Sequence, residues 1–205
     1  MNDFMEAMRT GKGGGSSFAT GVVTDNGDPE GMGRVKIRYP WSDEREESAW
    51  ARVVTFMAGS GFGGYFLPEV GDEVLVAFID GNIEFPVVIG ALWNDRETPP
   101  YDNGDGKNSI RAIRTRQGHE ILFDDDESAP KVTIKTAAGH AIELDDTPGG
   151  EKVTIKDKSG NMVQMDAVAN ALTLKSSVQL TIESNMIDIR ADGVLTLNGS
   201  LVRIN

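Results

Sequence analysis

Cysteine is absent and only two histidines occur among 205 residues, so the usual metal ligands and nucleophiles are scarce. His119 and His140 each follow a glycine, Gly118 and Gly139, 21 residues apart. Turned toward a shared axis, such imidazoles could hold a metal ion or an anion; a corner on the outer face is the plainer expectation, and no metal site is assigned. Asp124-Asp125-Asp126 and Asp145-Asp146 supply carboxylates of the kind calcium uses. Asp-rich turns capped by their own backbone amides give the same pattern and are the expected reading. Asp43, Glu44, Glu46 and Glu47 could pair for glycoside hydrolysis, yet Arg45 stands among them and no aromatic platform for a sugar clusters nearby. Residues 59–64 resemble a phosphate loop only in glycine content, lacking its lysine and its helix, and are expected to form a mobile loop. Trp41, Trp50 and Trp93 are expected in packing or between subunits rather than as stacking platforms for bases. No catalytic residue and no cofactor is assigned.

The elements behind these residues read as strands. No apolar run approaches the roughly 18 residues of a membrane helix, and the N-terminus lacks the basic-then-apolar pattern of a signal peptide. The net charge is −12, with eight basic against sixteen acidic residues over positions 1–98. Such a surface repels a phosphate backbone, so nucleic-acid binding is not expected.

Four zones follow. Residues 1–17 end in Gly-Gly-Gly-Ser-Ser and form a flexible segment; Phe4, Met5 and Met8, at helical spacing, are candidate docking residues. Residues 18–98 hold five short strands separated by Asp/Asn/Gly/Pro turns and no long helix, which predicts a small closed barrel. Residues 99–108 are a linker. Residues 109–205 are a repeat array: Gly118, Gly139 and Gly160 recur every 21 residues, and Val132-Thr133-Ile134-Lys135 returns as Val153-Thr154-Ile155-Lys156 and as Leu172-Thr173-Leu174-Lys175.

Beyond Leu172 the period shortens. Apolar pairs stand two apart at Leu172/Leu174, Leu180/Ile182, Ile187/Ile189, Leu195/Leu197 and Val202/Ile204. Fixing each residue costs roughly 1–2 kcal/mol of backbone entropy, while a covered apolar side chain returns about 1.5–3 kcal/mol. Two such side chains per seven or eight residues fall short in a lone chain. Three chains wound as a triangular prism, with these ten residues at the axis, satisfy the pattern better than a single-chain solenoid.

Gly33-Arg34-Val35-Lys36-Ile37-Arg38-Tyr39-Pro40-Trp41, Pro68-Glu69-Val70-Gly71-Asp72-Glu73-Val74 and Pro86-Val87-Val88-Ile89-Gly90-Ala91-Leu92-Trp93-Asn94 resemble the OB domain of central-spike proteins. That family comprises phage baseplate assembly protein V, type VI VgrG spikes and the spikes of related contractile particles. The 21-residue repeats and Gly199-Ser200-Leu201-Val202-Arg203-Ile204-Asn205 resemble its β-helical needle. The resemblance implies an all-β protein, a five-stranded OB-fold barrel followed by an intertwined trimeric β-helix prism. It implies a homotrimeric, membrane-piercing needle with no enzyme activity, assembled in the cytoplasm into a baseplate or injection particle and touching the target membrane only transiently. Seventeen residues are too few for the family's hub domain, so a separate hub protein is expected, with Phe4, Met5 and Met8 as its contact. Residues 95–107 leave no room for the lysozyme insertion of some relatives. Without a His-x-His apex, the end at Ile204 and Asn205 is expected to carry a PAAR-type tip protein. A β-helical polysaccharide hydrolase is the alternative function.

Overall fold

A computed structural model describes residues 18–203. The chain divides into two compact units, Met1–Pro100 and Tyr101–Asn205.

The described part of the first unit is built from β1 (Phe18–Asp25), β2 (Lys36–Arg38), β3 (Arg52–Val53), β4 (Ala58–Gly59), β5 (Phe62–Gly63), β6 (Glu73–Phe78) and β7 (Pro86–Leu92). Five of these form one sheet in the order β2-β1-β6-β7-β3, antiparallel except for the parallel pair β3–β7. Val35 and Ala51 then exchange two backbone hydrogen bonds, of 3.0 and 2.8 Å, just ahead of β2 and β3. That bridge joins the two ends of the sheet and closes it into a five-stranded OB barrel. Alternation decides what lies inside: Val35, Ile37 and Tyr39 are buried, as are Val74, Val76 and Phe78, with Val23, Ala51 and Val88 completing the core. β6 lies between β1 and β7, and Leu75 and Ala77 on its second face are half-buried. Where β1 crosses β2, a Cβ on Gly21 would collide with Ile37, so only glycine fits.

The β1–β2 loop is tied by one carboxylate. Asp28 accepts hydrogen bonds from the Arg34 side chain at 2.9 and 2.7 Å and from the amides of Glu30, Met32 and Arg34. The Arg34 guanidinium holds its carboxyl far below the usual range.

The second unit is a seven-stranded antiparallel meander: β8 (Ile110–Arg114), β9 (Glu120–Asp124), β10 (Lys131–Lys135), β11 (Ala141–Asp145), β12 (Lys152–Lys156), β13 (Met162–Asp166) and β14 (Ala171–Lys175). All six pairings run without a register shift. The 21-residue repeat is therefore a pair of strands and their two turns, zigzagging within one chain. One turn of each repeat is set by its glycine: Gly118, Gly139 and Gly160 have φ of +85°, +95° and +85°, and their amides close the turns onto Thr115, Thr136 and Asp157. No strand is formed over residues 176–203, and residues 177–203 are exposed throughout.

Candidate functional site

Antiparallel register fixes which side chains share a face of the meander. Ile113, Ile121, Ile134, Ile142, Ile155, Val163 and Leu174 pair in succession across the seven strands. Two residues along, Phe123, Val132, Leu144, Val153, Met165 and Leu172 form a second row, which Arg111 heads. Thirteen apolar side chains thus cover one face, and at about 4.8 Å per strand the double stripe is roughly 29 Å long.

The opposite face is polar, with Asp124, Lys131, Asp145, Lys152 and Asp166 alternating in charge along one row and Arg114, Glu120 and Lys135 meeting in another. Burial runs against the ordinary sense. Glu120, Asp145 and Thr154, all on the polar face, are buried, while most of the apolar face is exposed, Ile134 at 43% and Leu172 at 66%. An apolar patch of this size marks an interaction surface.

The polar face is held by its own contacts. Glu120 accepts a hydrogen bond from the Tyr101 hydroxyl at 2.8 Å and an ion pair from Lys135 Nζ at 2.6 Å, with Arg114 at 3.9 Å. Burial works to raise the Glu120 pKa, but Lys135 and Tyr101 outweigh it and leave the carboxyl below its ordinary value. At neutral pH it is ionised and engaged, the wrong state for a general acid.

The tail residues Leu180, Ile182, Ile187, Ile189, Leu195, Leu197 and Val202 are each at least half exposed in the single chain. Ile204 and Asn205, and Phe4, Met5 and Met8, lie outside the described residues. Reading the sequence from Leu172 onward missed the larger apolar surface ahead of it, although the alternation in Val132-Thr133-Ile134 and Val153-Thr154-Ile155 carries the signal.

His119 and His140 sit exposed beside their turn glycines, where His119 Nδ1 accepts a 3.4 Å hydrogen bond from the Ala137 amide. The aspartates form backbone-capped turns: Asp126 accepts from the Ser128 amide and Asp145 from the Thr147 amide. Among the described residues no group of three His, Cys, Asp or Glu side chains is placed to hold a metal ion. In the barrel, Glu47 pairs with Lys36 at 3.0 Å, which holds its carboxyl low. Trp41 stacks on Tyr39 at 4.9 Å, Trp50 lies under Lys36, and Trp93 is exposed. The glycine-rich stretch read as a mobile loop is instead the β4–β5 hairpin. Two-residue connections with glycine close such hairpins readily, here through Ser60 and Gly61 at φ +78°.

Comparison with known proteins agrees with both units. Residues 19–93 match the type VI secretion system/phage-baseplate injector OB domain, and residues 131–205 match the phage baseplate V C-terminal trimerisation domain. Spike protein VgrG3 of the type VI secretion system of Vibrio cholerae is 32% identical over 113 residues, covering 51% of this chain and 11% of that protein. Spike protein VgrG4b of Pseudomonas aeruginosa is 34% identical over 111 residues, or 44% of this chain and 14% of the relative. The actin cross-linking toxin VgrG1 of Vibrio cholerae is 32% identical over 108 residues, 49% of this chain and 10% of the toxin. The chain thus matches only 10–14% of the length of these three relatives. A barrel of this topology followed by a trimerisation domain places the chain in the phage baseplate V and type VI spike family.

Proposed function

We propose that the protein is the central spike of a contractile tail or injection particle, a homotrimer whose work is mechanical. The observation that carries this reading is the reversed meander, with Glu120 and Asp145 buried in ion pairs on its polar face and most of its apolar face exposed. Three copies turning that face to a shared axis bury it, and the apolar pairs of the tail continue the axis. In this reading the spike joins a hub protein at the tube end to a PAAR-type protein at the tip, contacts the target membrane as the particle fires, and is assembled in the cytoplasm. In this reading it catalyses no reaction, and Glu47 and Glu120, held ionised by lysines, are in the wrong state to donate the proton that a polysaccharide hydrolase needs.

The experiment is a native mass measurement after exposure to detergent and heat. A spike gives a species of about three times 22.1 kDa that survives both. A well-ordered monomer overturns the proposal.

A further inference from the structure

The barrel carries an apolar surface that its own fold does not use. Residues 53–68 contain no charged side chain, in a protein where a quarter of residues are charged. Within them Phe56, Phe62, Tyr65 and Phe66 are between 63% and 80% exposed, and they border a pocket of about 730 Å³. The hairpin backbone is tied, and two of the rings lie on glycines. Gly59 and Gly64 leave the space in which the Phe62 and Phe56 rings lie against the backbone, where a Cβ would collide with either. Thr55 Oγ1 donates to the Gly64 carbonyl at 2.6 Å, and the Gly64 amide donates to the Met57 carbonyl at 2.9 Å. Asp28, through its bonds to the loop before β2, holds Met32 at the edge of the same pocket. A segment tied this way has already given up its conformational freedom, which lowers what it loses on docking.

We infer that the β4–β5 hairpin is a second trimer contact, through which the barrels of three copies pack on one another. The inference rests on the trimeric reading above. Seventeen residues lie between the end of β7 at Leu92 and the start of β8 at Ile110, a reach of at most roughly 60 Å at about 3.3–3.6 Å per residue. Trimerisation through the second unit therefore holds the three barrels at an effective concentration of the order of millimolar. That proximity favours contact of the uncharged aromatic patch with its own copies. The surface continues, in the same chain, the association that the trimerisation domain begins.

The test places a photoreactive benzophenone amino acid at position 65 of the full chain. Native mass is read first, because a monomer at this stage overturns the trimeric reading itself. In a verified trimer, irradiation is expected to give covalent dimers and trimers of about two and three times 22.1 kDa, with the adduct mapping to another copy's residues 18–98. Adding Phe62→Asp should cut the adduct at least fivefold while the trimer mass and the far-ultraviolet circular dichroism stay unchanged. A trimer that yields no adduct, or yields one only after a second protein species is added, or links separate trimers to each other, overturns the inference and leaves the spike reading standing.

Discussion

The two units bury opposite kinds of residue. Every fully buried hydrophobic side chain among the described residues belongs to the barrel, from Val23 to Val88, whereas the buried residues of the meander are Glu120, Asp145 and Thr154. Both units are sheets of short alternating strands, so the contrast does not arise from secondary structure. It arises from closure. The Val35–Ala51 bridge rolls the first sheet around its apolar face, while the second stays open and, among the described residues, most of its apolar face stays exposed. A closed sheet can be stable alone; an open one with an apolar face is stable only when covered.

The sharpest way to break this comparison is a charge at the centre of the bare face. Ile134→Asp puts three carboxylates on a shared dry surface, each costing several kcal/mol. The expected result is loss of the trimer in native mass measurement and loss of amide protection in residues 110–175. Protection of Val74 and Val76 in the barrel should persist. A trimer that tolerates the change would show that the apolar face is not what the copies share. Truncating the barrel core instead, by Ile37→Ala, removes about 2–5 kcal/mol from the first unit. Its unfolding transition should move to lower denaturant while the trimer mass stays the same.

Acid should strain both units through different groups. Asp28 is held low by Arg34 and Glu120 by Lys135 and Tyr101. A folded pKa below the unfolded one gives stabilisation that is complete above the unfolded value and is lost as pH falls through the folded one. Both contributions are therefore full at pH 7 and decline below about pH 4, near the ordinary carboxyl values. Asp28→Asn should flatten the acid dependence of barrel unfolding alone, and Glu120→Gln that of the meander alone, read as thermal midpoints between pH 7 and pH 3. If either substitution flattens both transitions, the units do not respond separately to pH.

Much of the barrel was legible because burial there follows period-two alternation: Val35, Ile37 and Tyr39 against Arg34, Lys36 and Arg38 mark inside and outside directly. Register was not legible. The Val35–Ala51 closure depends on residues sixteen apart meeting across a loop, and no local pattern encodes that. In the second unit the repeat glycines gave the period, and the turns at Gly118, Gly139 and Gly160 fall where it puts them. Direction was hidden, because a 21-residue period is equally compatible with strands that zigzag and strands that wind. The turn hydrogen bonds that reverse the chain, such as Gly139 to Thr136, decide between them. The β4–β5 hairpin was missed because its glycines suggest mobility, while its order comes from rings lying on those same glycines.

The smallest expected effect is the most diagnostic of facing. Leu174 and Lys175 are adjacent on β14, and alternation sends them to opposite faces of the sheet. Lys175→Asp sits on the polar side at an exposed edge and should shift stability by no more than about 0.5 kcal/mol. Leu174→Asp, one residue away, should weaken the trimer as charges on the apolar face do, and Leu195→Asp should do the same in the tail if its pairs continue that axis. The two β14 variants carry the same new side chain in the same strand, and Lys175→Asp makes the larger change in net charge, so general acidity alone would make it the more harmful of the two. A difference in trimer retention after heating then reports the face alone, and equal behaviour would mean that the apolar stripe stops short of β14.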